Sequence, residues 1–129
     1  ALQNTAFMTD LWRHGPDTVV AGLIAELDDC LAAARTGAAP AEVATSLRRL
    51  KRRVALAVAV ADIAGVWPLE RITERLSAFA SGCLTALTDS ILLQLARDGQ
   101  LAIDGKPDAA AFTVLGMGKL GAGELNYSS

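Results

Sequence analysis

Four glycines fall within eight residues at Gly116, Gly118, Gly121 and Gly123, with Lys119 among them. Glycine has no Cβ, so the backbone there can turn tightly and come close to another group. Exposed N–H groups in such a loop, with an ammonium beside them, suit a phosphate. Just upstream, Phe112–Leu115 is a run of apolar and β-branched residues that predicts a short buried strand. Three readings compete for this strand and loop. A dinucleotide fingerprint fits Gly116-x-Gly118-x-x-Gly121. It also needs a helix straight after the glycines and an acidic residue about 20 positions on. Gly123 and Asn126 interrupt any such helix, and Leu120 rather than Ser or Thr follows Lys119, which excludes a P-loop. A nucleotidyltransferase opening uses a glycine turn after its first strand to hold phosphates. Carboxylates on the next strand then hold Mg²⁺ for an in-line displacement. The third reading is a glycine-rich loop with no ligand, and spacing alone leaves all these alternatives open.

The wording of the run is more specific than its spacing. Leu115-Gly-Met-Gly-Lys-Leu-Gly-Ala-Gly-Glu-Leu-Asn-Tyr-Ser-Ser129 resembles the signature of the bacterial bifunctional glutamine synthetase adenylyltransferase/adenylyl-removing enzymes. Met117, Asn126, Tyr127 and Ser128 resemble the N-terminal, adenylyl-removing half of that family. A looser likeness covers Leu47–Arg53 and Ala61–Gly65, upstream of the motif. The resemblance implies that Gly116, Gly118 and Lys119 form the phosphate-approach turn. Ser128 and Ser129 would be adjoining positions leading into a metal-binding strand. It assigns no catalytic step to Glu124, and no catalytic residue or metal ligand within the chain. The Asp-x-Asp pair that holds Mg²⁺ in the family would follow Ser129. The resemblance further implies ATP or ADP, inorganic phosphate, glutamine synthetase and a PII-class signal protein as partners, and control by glutamine. A piece without the carboxylate pair is expected to be inactive by itself.

The elements around the loop are helical by pattern. The chain has 129 residues, 52% of them hydrophobic and mostly Ala, Leu and Val, with few aromatics. Ala and Leu are strong helix formers, so a mainly α, antiparallel helical bundle is expected over residues 1–107. Residues 108–129 would then be the truncated start of a nucleotidyltransferase domain, entered through the linker Asp104–Asp108. A short helix is predicted over Thr5–Arg13, with Phe7, Met8, Leu11 and Trp12 as its apolar side. His14-Gly15-Pro16 breaks it. Asp17 then suits the N-cap of a helix that Gly37 stops. Pro40 opens the next helix, which carries the apolar line Val43, Leu47, Leu50, Val54, Ala57, Val58 and Ala61 as far as Gly65. Its second half is apolar almost all round, which predicts a central place in the bundle. Pro68 starts the longest helix, Leu69 to Arg97, with a stripe through Leu69, Ile72, Leu76, Phe79, Cys83, Leu87, Ile91 and Leu95. Arg71 and Glu74 are spaced to pair on its surface. Gly82 within it predicts close contact with a neighbouring helix.

A formal net charge of −2 excludes the global basic surface that marks nucleic-acid binders. The chain shows no signal-peptide pattern, and its most apolar stretch, Val54–Val66, is too short to span a bilayer. These features predict a cytoplasmic protein without membrane contact, and the missing initiator Met agrees with an excised piece. Cys30 and Cys83 sit in apolar helical patterns and are expected as buried thiols. His14, the single histidine, has no ligand cluster around it and is expected as a turn residue. One basic cluster, Arg48, Arg49, Lys51, Arg52 and Arg53, packs five charges into six residues. Either it is a solvated face whose stems lie along the bundle, or it meets a phosphate, a nucleotide or an acidic partner. In the second case the chain could be a non-catalytic helical interaction module.

Overall fold

The computed structural model describes residues 2–103 and 112–126. Its elements are α1 (Leu2–Thr36), α2 (Pro40–Ile63), α3 (Leu69–Arg97) and a single turn, α4 (Gly118–Gly121). The expected linker Asp104–Asp108 lies outside the described residues, as do Tyr127, Ser128 and Ser129.

Helix α1 is two segments in one. Gly15 inside it has φ 74° and ψ 164°, which no helix tolerates, and Pro16 follows. A straight helix would hold Phe7 and Glu26 about 28 Å apart. Yet the guanidinium of Arg53 lies 5.2 Å from the Phe7 ring centroid while its Nη1 donates to Glu26 Oε2 at 2.6 Å. The first segment therefore doubles back at Gly15 and lies against the second. The break expected at His14-Gly15-Pro16 is real, and the bundle has four helical rods.

Long-range contacts fix how the rods run. Arg71 of α3 pairs with Asp17 of α1, and Arg35 of α1 pairs with Asp89 of α3. Both pairs are 54 residues apart in the chain. A constant offset means that the second segment of α1 and α3 run parallel. The tight turns at Gly37 and Gly65 send α2 antiparallel between them. α1, α2 and α3 each end with a positive-φ glycine, Gly37, Gly65 and Gly99. At each end the amide after the glycine reaches back to the previous turn, as in Gln100 N–H to Leu95 O at 2.8 Å. This satisfies carbonyls that the helix itself leaves unpaired.

All seven residues of the α2 apolar line are buried. On α3 the stripe holds at Ile72, Leu76 and Phe79, with Cys83 and Leu87 half-buried against the core, and departs from expectation at Leu69 and Ile91. Ala86, Ser90 and Leu93 are buried, while Ile91 is 45% exposed and Leu69 67% exposed. Successive steps of four turn about 40° too far each time, whereas alternating steps of four and three keep one face inward. On the short segment Phe7 and Leu11 are buried, while Met8 and Trp12, expected inside, are exposed. Helix α3 is long and apolar enough, by length and composition, to cross a bilayer, which the sequence reading did not single out. In the bundle its apolar residues Ile72, Leu76 and Phe79 form part of the common core.

Polar contacts close both ends of α3. Arg71 does not pair with Glu74; it donates to Asp17 and stacks 4.6 Å over the buried Trp67 ring. At the other end Arg35 Nε donates to the buried Asp89 at 2.8 Å, and Ser90 Oγ donates to Ala38 O at 2.7 Å. Arg97 Nη1 donates to Gly37 O at 2.8 Å. Gly82 faces Leu27, whose Cδ2 would lie 2.6 Å from a Cβ there, so the glycine does permit the expected close approach.

Cys30 and Cys83 are free, half-buried thiols. Burial pushes the Cys83 thiol up to about 11, with Cys30 raising it further and Lys51 opposing. Its folded value lies above its ordinary 9.0, so its contribution to stability is full below pH 9 and lost as pH climbs towards 11. Alkylation of Cys83 in the native chain should therefore keep accelerating past pH 9. A rate that levels off near pH 9 would contradict this environment.

Candidate functional site

The glycine segment is held against α3. Residues 112–117 form no regular element, and the strand expected at Phe112–Leu115 is absent. Phe112 and Leu115 are 60% and 81% exposed, and no second strand stands among the described residues to take up their N–H and C=O groups. The backbone then makes the single turn α4, Gly118–Gly121. Glu124 N–H bonds to Lys119 O at 2.8 Å, with Gly123 at φ 74°. The helix that a dinucleotide site would need after Gly118 stops after one turn, so that reading loses its scaffold.

The turn is closed by contact between glycines. A Cβ on Gly121 would lie 2.4 Å from Gly116 O and 3.0 Å from its carbonyl carbon. Both are backbone atoms, so only glycine at 121 lets the two ends of the loop meet. Gly118, at φ 57°, enters the turn in the left-handed region. Gly116, Gly118 and Lys119 are all exposed and adjoin one another, so three of the five expected phosphate-binding positions are brought together. The other two, Ser128 and Ser129, lie outside the described residues. Behind the loop is a half-open cavity of about 280 Å³. Ser81, Thr85, Thr88 and Asp89 of α3 line one side, and Phe112, Gly116 and Leu120 the other.

Leu125 N–H donates to Ser77 Oγ at 3.0 Å, and Leu125 packs against the core. Ser77 is a buried residue of α3. Sequence reasoning missed this contact. Ser77 lies off the apolar stripe of α3, and nothing in the local sequence marks the contact.

The basic cluster of α2 divides. Arg53 is spent within the fold: its Nη1 meets both carboxylate oxygens of Glu26, at 2.6 and 2.8 Å, while its plane lies over Phe7. Arg48, Arg49, Lys51 and Arg52 are exposed. Arg49 and Arg52 line a groove of about 600 Å³ between α1 and α2, but Asp10, Glu26 and Asp29 line it too. Carboxylates facing guanidiniums across one groove offset the field that would attract a phosphate or an acidic partner. Among the described residues no group of three His, Cys, Asp or Glu side chains could hold a metal ion.

Comparison with known proteins agrees with the wording of the loop. The family model for glutamate-ammonia ligase adenylyltransferase matches residues 3–129. A bifunctional glutamine synthetase adenylyltransferase/adenylyl-removing enzyme of Bradyrhizobium diazoefficiens is 44% identical over 118 residues, covering 88% of this chain and 12% of the relative. Enzymes of the same name are 37% identical over 127 residues in Rhodopseudomonas palustris and 46% identical over 92 residues in Rhizobium meliloti. The first covers 96% of this chain and 12% of the relative, the second 69% and 9%. The chain thus spans about an eighth of the length of these relatives or less. No solved structure matches it. The match over nearly the whole chain, glycine loop included, makes it a member of the glutamate-ammonia ligase adenylyltransferase family.

Proposed function

We propose that the chain is the helical support and opening loop of one catalytic half of a glutamine synthetase adenylyltransferase/adenylyl-removing enzyme. The half is the one that removes AMP. In that reaction inorganic phosphate attacks the phosphorus of the adenylyl group. The bond to the tyrosine oxygen of glutamine synthetase breaks, and ADP and the free tyrosine leave. The observation that carries the reading is the closed glycine turn. Gly116 and Gly121 meet backbone to backbone, and Lys119 stands exposed on the turn between them. Such a turn offers amides and one ammonium to a phosphate. Mg²⁺ would be bound by carboxylates beyond Ser129. The 129-residue chain is accordingly inert, and regulation by a PII-class protein belongs to the longer protein.

The test is phosphorolysis of adenylylated glutamine synthetase by the longer protein carrying Lys119→Ala. We expect kcat/KM for phosphate to fall about 100-fold, the scale on which a preorganised charge contributes at a reacting phosphoryl group. Wild-type activity in that variant would sink the reading, as would AMP removal by the 129-residue chain alone. A second reading, a binding module using the exposed residues Arg48, Arg49, Lys51 and Arg52, is weakened by the carboxylates across the groove.

A further inference from the structure

The glycine turn has no sheet behind it among the described residues, yet it is not loose. What it rests on is α3. Two contacts hold it there. Leu125 N–H donates to Ser77 Oγ at 3.0 Å. Leu125 itself packs against the common core. Leu120, half-buried between Lys119 and Gly121, faces Ser81 and Thr85 across the cavity behind the loop. The closed turn is thus fastened on its C-terminal side, at Leu125, while Lys119 stays exposed.

Ser77 is the polar member of this arrangement. It is 7% exposed on the side of α3 that meets the loop, about 100° or more around the helix from the core line of Ile72, Leu76 and Phe79. A buried hydroxyl costs free energy unless it is bonded. Packing alone would be served by Ala, which is also the better helix former. The hydroxyl's partner is the backbone amide just past the glycine turn, four residues ahead of Ser129. We infer that Ser77 is a positioning residue for the glycine turn. The helical bundle, through α3, sets where Lys119 and the turn's amides stand relative to the reacting phosphate. This rests on the proposed function for its catalytic part, but the anchor itself can be tested without it.

Two measurements separate the parts. In the 129-residue chain, Ser77→Ala should speed hydrogen exchange at the Leu125 amide about three- to tenfold, the equivalent of one ordinary hydrogen bond. Amides in α2 and the middle of α3 should keep their protection, and Ser77→Thr, which keeps the acceptor oxygen, should restore the slow rate. Unchanged exchange at Leu125 in Ser77→Ala overturns the anchor whatever the enzyme does. In the longer protein the same substitution should raise KM for inorganic phosphate about three- to tenfold and leave KM for adenylylated glutamine synthetase unchanged. Faster exchange with an unaltered phosphate KM overturns the positioning role. Lys119→Ala, measured alongside, reports on the proposed function. If it leaves phosphate KM and kcat untouched, that reading fails, while the exchange result still decides the anchor.

Discussion

Replacing Gly121 with Ala should lower phosphorolysis by the longer protein about 100-fold while leaving the bundle's melting temperature almost unchanged. The new Cβ would sit 2.4 Å from Gly116 O and 3.0 Å from the carbonyl carbon, and neither backbone atom can swing aside as a side chain does. Relief requires the two ends of the turn to part by about 1 Å, and a misplacement of that size in a catalytic arrangement costs about 10²-fold in rate. Gly121 is exposed and outside the core, so stability should not follow activity. The pairing to measure is kcat/KM for phosphate against thermal unfolding followed by helical circular dichroism. Full activity in Gly121→Ala would show that closure of the turn has no part in the chemistry. Equal losses in activity and stability would show that the glycine serves folding.

Leu23→Ala should have the largest effect on stability, a loss of about 3 kcal/mol and a fall in melting temperature of roughly 10 °C. Leu23 is 1% exposed and is among the largest fully buried side chains. It lies on the second segment of α1, between the level where Asp17 meets Arg71 and the level where Leu27 meets Gly82. Rods clasped above and below it have little freedom to close on the cavity left behind, so relaxation should recover little. Thermal and urea unfolding measure it directly. A loss under about 1 kcal/mol would mean that the rods can collapse around the shortened side chain despite those clasps.

How legible this was varies with the physics involved. The α2 stripe was fully readable because seven apolar residues at helical spacing have only one way to face a core. Helix ends were readable because Gly37, Gly65 and Gly99 mark positions where the backbone leaves the helix with positive φ. The lower part of the α3 stripe was readable only in part, as at Leu87. There the inward positions carry Ala86 and Ser90, one small and one polar, while the conspicuous Ile91 points outward. Ser90 is buried because it donates to Ala38 O, a contact made 52 residues away. The ion pairs of Arg53 and Arg71 escaped for the same reason: local spacing suggested Glu74 for Arg71, and the partners are instead Glu26 and Asp17 on another helix. In the loop, the tight turn was legible from its glycines, Gly118 at positive φ and Gly121 closed against Gly116. The strand before them was misjudged, since β-branched residues make a strand only with a neighbour to pair with. The Ser77 anchor left no sequence signature, because it joins a side chain to a backbone amide.

The single glycine on the inner side of α3 also governs what kind of motion the bundle can transmit. A helix that signals by ratcheting slips one turn, about 5.4 Å, past its neighbour and repacks. Slipped by one turn in either direction, α3 would present Ala78 or Ala86 to Leu27 in place of Gly82. Each brings a Cβ where Gly82 leaves none, and Leu27 Cδ2 already stands 2.6 Å from the place a Cβ would occupy. Longitudinal slippage therefore requires Leu27 to change its side-chain conformation as well, and the swing of the bundle as a rigid block does not. Whatever moves that block carries the glycine turn with it.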